Sequence, residues 1–301
     1  MSNVMLLIIC LIAGLLLRLS KRFPENTPAA LNGFIIHISL PAAALLHIRN
    51  LEFDSSVIYI GGMAWLFFCI GWLIIHYLGK LMSIPKATVG AMVLLGGLGN
   101  TSFVGLPMIE AYYGKELIGV GILVDQLGSF MVLSTLGILA ASIYSSGNPS
   151  PRAMLRKVIL FPPFQALILA ILLRPFTYPD WTVEVLKKLA DTITPLALAS
   201  VGFQLRFLSL KGMRTHLVMG LGYKMLLGPL IIAGIYIGLL GLHGTAIQVT
   251  VFEAAMAPMI TAGIISIDHD LDPPLVTMML GIGIPLSFAT LPVCAYLLRG
   301  F

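Results

Sequence analysis

Long apolar runs alternate with short polar or Pro/Gly-rich breaks along the whole chain. Breaking it at those clusters predicts helices over 3–19, 31–49, 56–80, 87–113, 116–144, 157–174, 181–207, 213–241, 244–267 and 273–299. These runs are far longer than the roughly ten-residue alternating segments of a membrane barrel, and only helices or closed barrels satisfy every backbone group in lipid. The pattern therefore predicts an all-α integral membrane protein with ten transmembrane helices. No basic residue precedes the apolar run at 3–19 and no small-residue cleavage pattern follows it, so it reads as a retained first helix. The longest polar stretch, about Ser145 to Arg156, lies near the middle of the chain, which suggests one membrane unit in two halves, about 1–148 and 149–301.

Composition agrees: 58% of residues are hydrophobic and 10% charged, against roughly a quarter charged in a soluble domain. Cys10, Cys69 and Cys294 all fall inside apolar runs and read as small buried hydrophobes, with no disulfide framework or metal site. The basic residues sit singly at helix ends, a pattern of membrane topology and not of nucleic-acid binding. Loops after odd-numbered helices hold eleven Lys and Arg, those after even-numbered helices and the tail six, and Lys224 is left inside helix 8. The positive-inside rule then places both termini outside the cell membrane.

An odd number of helices per half inverts the second half in the membrane, so five plus five predicts an inverted repeat if the halves correspond. Pro41, Leu51 and Phe53 recur as Pro195, Leu205 and Phe207 at a constant offset of 154. Pro107-Met108-Ile109 of helix 4 recurs as Pro258-Met259-Ile260 of helix 9, and Ser129-Phe130 as Ser287-Phe288. Gly96, Gly97, Gly99, Gly105 and Pro107 interrupt helix 4 over 96–107, and Pro258 interrupts helix 9 more briefly. Unpaired backbone in hydrocarbon costs several kcal/mol per group, so two such breaks are expected to cross at mid-membrane and bind something. Half-helix N-termini suit an anion and freed carbonyls a cation. The candidate substrate site is accordingly Asn100, Thr101, Ser102, Gly105, Pro107, Pro258 and Met259.

The segments GNTSFVGLPMI at 99–109, DQLGSF at 125–130, EAAMAPMITAG at 253–263 and GIPLSFATLP at 283–292 resemble the auxin efflux carrier family, over nearly the whole chain. That family includes bacterial malonate or malate carriers and the plant auxin exporters. The resemblance implies a fold like that of the bile acid sodium symporters, with helices 1, 2, 6 and 7 as a scaffold and helices 3–5 and 8–10 as a moving core. It places substrate beside the crossing, where Asn100, Pro107 and Pro258 match. The loop between helices 5 and 6 is short here, as in prokaryotic members. A homodimer is implied, built on the scaffold face.

Charged residues deep in a membrane point to function. Asp125, Lys224 and Glu253 lie roughly 12–17 Å from their helix ends at 1.5 Å per residue, alongside Gln126 and Asn100. In one arrangement Asp125 and Lys224 form a structural ion pair and leave Glu253 to be neutralised by a proton or Na+. In the other, Glu253 with Asn100, Asp125, Gln126 and Lys224 forms the coupling-ion site. His37 and His76 read as hydrogen-bonded to neighbours, and Arg206 as an interfacial anchor. The chain thus reads as a secondary carrier of a small organic anion, with no cofactor beyond a coupling Na+ or H+. The alternatives are a sensor using the same site, or a channel, for which no ring of charges is visible. No HExxH or GxSxG motif supports an enzyme.

Overall fold

The computed structural model describes residues 2–48, 56–145, 152, 156, 159–204 and 213–301. Leu51, Phe53, Leu205 and Phe207 of the repeat correspondence lie outside the described residues, as do Arg49, Lys157, Arg206 and Lys211 of the charge count. Among the described residues every regular element is helical. In chain order the helices are α1 (Ser2–Leu19), α2 (Thr27–His47), α3 (Ser56–Leu81), α4 (Lys86–Gly97), α5 (101–112), α6 (Lys115–Tyr144) and α7 (Pro162–Leu172). They continue as α8 (Asp180–Ala190), α9 (Ile193–Gln204), α10 (Arg214–Leu239), α11 (Thr245–Ala254), α12 (Ile260–Asp268) and α13 (Pro273–Leu298). Of these, α2, α3, α6, α10 and α13 are each long and apolar enough to cross a bilayer. Large apolar side chains such as Leu19, Ile58, Leu81, Val218, Leu239 and Tyr296 stand on the outside, a surface that suits lipid and would associate in water.

Pro285 and Pro292 lie inside α13 without a widened turn or a break, but at four other positions proline changes the helix, in two ways. Pro41, Pro107 and Pro229 each follow, one residue on, a widened π turn at Ile35–Ser39, Thr101–Gly105 and Tyr223–Leu227. Each proline deprives the carbonyl four residues earlier of its donor, and the wide turn redistributes the remaining bonds, so α2, α5 and α10 continue past it. Pro195 has the other effect. The single helix expected over 181–207 is instead α8 and α9, parted by a turn at Asp191 and Thr192. The Asp191 carbonyl is the one that Pro195 cannot serve. The 11 residues of α8 reach only about 16 Å, half the ~30 Å hydrocarbon layer. Likewise the helix expected from 157 starts at Pro162, where a proline suits the first turn.

The two expected interruptions are present, with their lengths reversed. The helix 4 run breaks only at 98–100, whereas the helix 9 run is non-helical over 255–259. Gly96 and Gly97 remain helical, and Gly97 serves close packing: a Cβ there would lie 2.6 Å from Phe68 Cδ2. Glycine permitted a break over 96–107 without compelling one.

Packing sorts the helices into two groups. α1 lies along α9 so closely that a Cβ at Gly14 would strike the Ala199 carbonyl, and one at Gly202 the Leu11 carbonyl. α2 packs on α7, α8 and α9, with Ser39 Oγ 2.7 Å from Thr192 Oγ1 and Ser200 Oγ donating to Asn32 Oδ1 at 2.6 Å. In the second group α3, α4, α6, α10, α11, α12 and α13 enclose the largest buried side chains, among them Phe68, Met92, Leu94 and Phe252. α5 and the first turns of α6 lie at the seam, packed on α9 and α2.

Candidate functional site

Gly99 and Pro258 pair as an isolated antiparallel bridge, which brings the two helix breaks together. The exchange is reciprocal: Asn100 N–H donates to the Ala257 carbonyl at 2.8 Å, and Met259 N–H to the Leu98 carbonyl at 3.1 Å. Gly99, and not Pro107, therefore faces Pro258. Pro107 lies beyond, in the first turn of Leu106–Tyr112, because the π turn before it carries the helix on. The sequence match between Pro107 and Pro258 does not equate their places at the breaks.

The half-helix ends are less free than their backbone alone implies. At the start of α5 the Asn100 side-chain oxygen accepts from Phe103 and Val104 N–H at 3.1 and 3.3 Å, capping the amides that were expected to attract an anion. The start of α12 carries no side-chain cap at Met259, so its first amides keep their donor capacity. On the carbonyl side, Lys224 Nζ donates to the Ala254 oxygen at 2.8 Å.

Asn100, Thr101, Asp125, Gln126, Lys224 and Glu253 are all buried. Four of them stand on widened turns, beginning with Thr101 on Thr101–Gly105 and Asp125 and Gln126 on Val124–Phe130. Lys224 stands on another, Tyr223–Leu227, and such turns redirect side chains that a regular helix would place elsewhere. Asp125 accepts from Thr101 Oγ1 and from Gln126 Nε2, both at 2.6 Å. The Asp125–Lys224 ion pair is absent. Those two donors occupy the carboxylate, while Lys224 turns to Ala254 and lies 4.2 Å from the centre of the Phe67 ring. Glu253 ends against Gly105, whose missing side chain makes the room. Among the described residues both Glu253 carboxyl oxygens, Asn100 Nδ2 and Gln126 Oε1 have no hydrogen-bond partner.

A cavity of about 10 Å³ adjoins the bridge, lined by Gly99, Thr101, Ser129, Lys224, Glu253 and Phe67 among others. That is the space of about one water molecule. Gly105 and Ser102 flank the crossing on α5, with Ser102 only half-buried, and Met259 is buried at the bridge. His37 Nδ1 lies 2.9 Å from the Gly33 carbonyl and His76 Nδ1 2.8 Å from the Tyr144 hydroxyl, so both are held locally.

One cluster escaped the sequence reading. Lys115 Nζ lies 2.5 Å from Asp191 Oδ1 and 3.5 Å from Glu110 Oε1, and Thr194 Oγ1 donates to Glu110 Oε2 at 2.6 Å. These side chains join α5 and α6 to the turn between α8 and α9, around a second cavity that His47 also lines. Its signal was an aspartate inside an apolar run, at Asp191, which should have been weighed with the other intramembrane charges.

A family model described as membrane transport protein matches residues 1–295. An uncharacterized transporter of Methanothermobacter thermautotrophicus is 24% identical over 301 aligned positions, covering 99% of this chain and 98% of that one. Another, from Methanocaldococcus jannaschii, is 25% identical over 221 positions and 70% of each chain. A match of this extent, on a chain whose long apolar helices make it a multi-pass membrane protein, means that the chain belongs to the membrane transport protein family of the auxin efflux carriers.

Proposed function

We propose that this chain is a secondary carrier moving a small organic anion, a carboxylate of auxin or malonate type, by alternating access of the elevator kind. In this reading ten spans form a five-plus-five inverted repeat. The group built on α1, α2, α7, α8 and α9 is the fixed scaffold, and the rest moves with the crossing. The observation that supports it best is the cluster of buried polar atoms without a protein partner at the crossing: Asn100 Nδ2, Gln126 Oε1 and both Glu253 carboxyl oxygens. Leaving such groups unpaired is costly enough that native proteins keep few of them, and those they keep tend to serve a ligand.

The donors and acceptors divide by charge. Asn100 Nδ2 and the uncapped start of α12 are donors and suit a carboxylate. Glu253 and Gln126 are acceptors and suit a coupling cation, Na+ or H+, with Asp125 and Lys224 setting the charge around them. A homodimer through the scaffold face and a bacterial inner-membrane setting with both termini outside complete the proposal.

The test is a thermal-shift screen of the detergent-purified protein against mono- and dicarboxylates, with and without sodium and at two pH values, repeated on Glu253→Gln. A bound ligand at a hundredfold excess over Kd stabilises by about 2.7 kcal/mol. The reading expects a carboxylate to stabilise and Glu253→Gln to remove only its ion dependence, with flux into vesicles separating a carrier from a sensor. If only neutral or cationic solutes stabilise, the anion assignment is wrong.

A further inference from the structure

The Lys115 cluster divides along the seam into two pieces that each hold together. Lys115 and Glu110 form one. At the end of α5, Tyr113 and Gly114 N–H both donate to the Ile109 carbonyl, and Gly114, at φ 93°, turns the chain so that Lys115 Nζ comes within 3.5 Å of Glu110 Oε1. Only glycine adopts that φ without strain. Asp191, Thr194 and His47 form the other. Ser39 Oγ and Thr192 Oγ1, 2.7 Å apart, tie the turn after α8 to α2, and His47, which ends α2, borders the same cavity as Asp191. Lys115 to Asp191, at 2.5 Å, and Thr194 to Glu110, at 2.6 Å, cross from one piece to the other.

The cluster stands just beyond the crossing. Glu110 follows Gly105, which adjoins Glu253, by about 7.5 Å of helix at 1.5 Å per residue, and Leu106 and Ile193 wall the cavity between. Lys115 and Asp191 are partly exposed, so water reaches them. The end of span 2, the loop after span 4 and the start of span 7 all fall on the side that the charge count puts outside.

Parting the two pieces leaves their charges unequal. Lys115 departs with Glu110 as a neutral pair, whereas Asp191 stays behind as a lone carboxylate beside His47. Imidazole gains its charge near neutrality, at about pH 6.5 in water, and a proton there makes the scaffold piece neutral too. With the seam closed, the same proton sets a second cation against Lys115, which already holds Asp191. Among the described residues, the charged groups acting on His47 are Lys115 and Glu116 from α6, Asp191 from the turn and Glu110 from α5. α7 and α9 carry no charged residue, Glu184 and Lys188 of α8 pair with each other at 2.7 Å, and Asp180 and Lys187 are exposed.

We propose that this cluster is a partner-exchange latch closing the crossing from outside, and that His47 is its proton site. A proton taken up from outside by the His47 imidazole replaces Lys115 as the partner of Asp191. The core then moves away with Lys115 on Glu110, and the proton returns to the outside when the seam recloses. This rests on the carrier reading above. Because the open form binds the proton better, the ratio of open to closed rises as pH falls, by up to about tenfold per pH unit for one proton.

The experiment measures the seam on the full chain in liposomes. Spin labels at Trp181→Cys on α8 and Thr245→Cys on α11, both exposed, report the scaffold-to-core distance once Cys10, Cys69 and Cys294 are replaced by serine. Pulsed electron resonance is recorded at about pH 5.5 and 8, either side of the imidazole range. A second distance population is expected to grow at the lower pH, to be missing at both in His47→Gln, and to be present at both in Asp191→Asn and Lys115→Gln. A distribution that ignores pH without these changes overturns the proposal, and so does a pH response that survives His47→Gln. Should His47→Gln not fold, a pH response that survives Asp191→Asn overturns it instead. Flux of malonate and indole-3-acetate into the same liposomes is a separate readout. Its absence removes the carrier reading while the distances still decide the latch, whereas flux through a protein whose seam ignores pH keeps the carrier and removes the latch.

Discussion

Gly105 offers a direct test of the site's geometry. A Cβ on this residue would lie 2.6 Å from Glu253 Oε2 and 2.8 Å from its carboxyl carbon, well inside ordinary contact. The carboxyl group would have to retreat by most of an ångström. Behind it the space is limited: a Cβ on Gly121 would already lie 3.8 Å from Oε1. In a helix a glycine-to-alanine change normally stabilises by about 0.4–1 kcal/mol through the unfolded chain, so the sign itself is informative. Overpacking here is expected to cost about 1–3 kcal/mol instead, a fall in Tm of at least several degrees at roughly 2 °C or more per kcal/mol. The assay is thermal unfolding of Gly105→Ala, Glu253→Ala and the double variant. If the contact is responsible, Gly105→Ala costs nothing once Glu253 is truncated, and the cycle returns a coupling of about 1–3 kcal/mol. An equal penalty in both backgrounds would falsify the placement of Glu253 against Gly105, and with it the site as described.

Three further outcomes are expected. Asn100→Asp keeps the acceptor for Phe103 and Val104 N–H but loses Nδ2, so stabilisation by carboxylates should disappear; Asn100→Ala should lose about 0.5–2 kcal/mol of stability as well, for the missing cap. Lys115 and Asp191 are each 45% exposed, so Asp191→Asn should alter stability by no more than about 1 kcal/mol. The variant should nonetheless speed thiol labelling of a cysteine placed at Ala43 in the adjoining cavity, and an unchanged labelling rate would deny this cluster any hold on the seam. Gly202→Ala pushes a methyl into the Leu11 carbonyl; because backbone cannot step aside as a side chain can, the cost should reach about 3 kcal/mol or more and appear as lost Tm or yield.

How far the sequence carried each feature depends on what kind of physics set it. Apolar run length is a property of single segments, so most helix positions were legible, from Ser56–Leu81 to Pro273–Leu298. Proline's effect was not, because a missing donor can be absorbed by a π turn, as at Pro107, or end the helix, as before Pro195, and packing by neighbours decides between them. The buried charges announced themselves by their cost in lipid. Their pairing did not, since Asp125 and Lys224 each found nearer partners in Thr101, Gln126 and Ala254. The Lys115 cluster was hidden because Asp191 was read as part of a continuous helix 7.

The hydrogen bonds also indicate where the proposed motion can occur at least expense. Opening the crossing would strip Asn100 N–H from Ala257, Met259 N–H from Leu98 and Lys224 from Ala254, and each backbone group exposed to lipid costs several kcal/mol. The seam beside α9 is held differently. There Lys115 meets Asp191 and Thr194 meets Glu110 through side chains, and partly exposed ion pairs contribute only about 0–1 kcal/mol because water replaces them readily. A conformational change that moves the crossing as a rigid piece, breaking side-chain contacts at the seam and none of the bridge, is therefore the less costly path by several kcal/mol. It also carries Glu253, Lys224 and Asn100 together, so that whatever proton the site holds and whatever anion it binds change sides in one step.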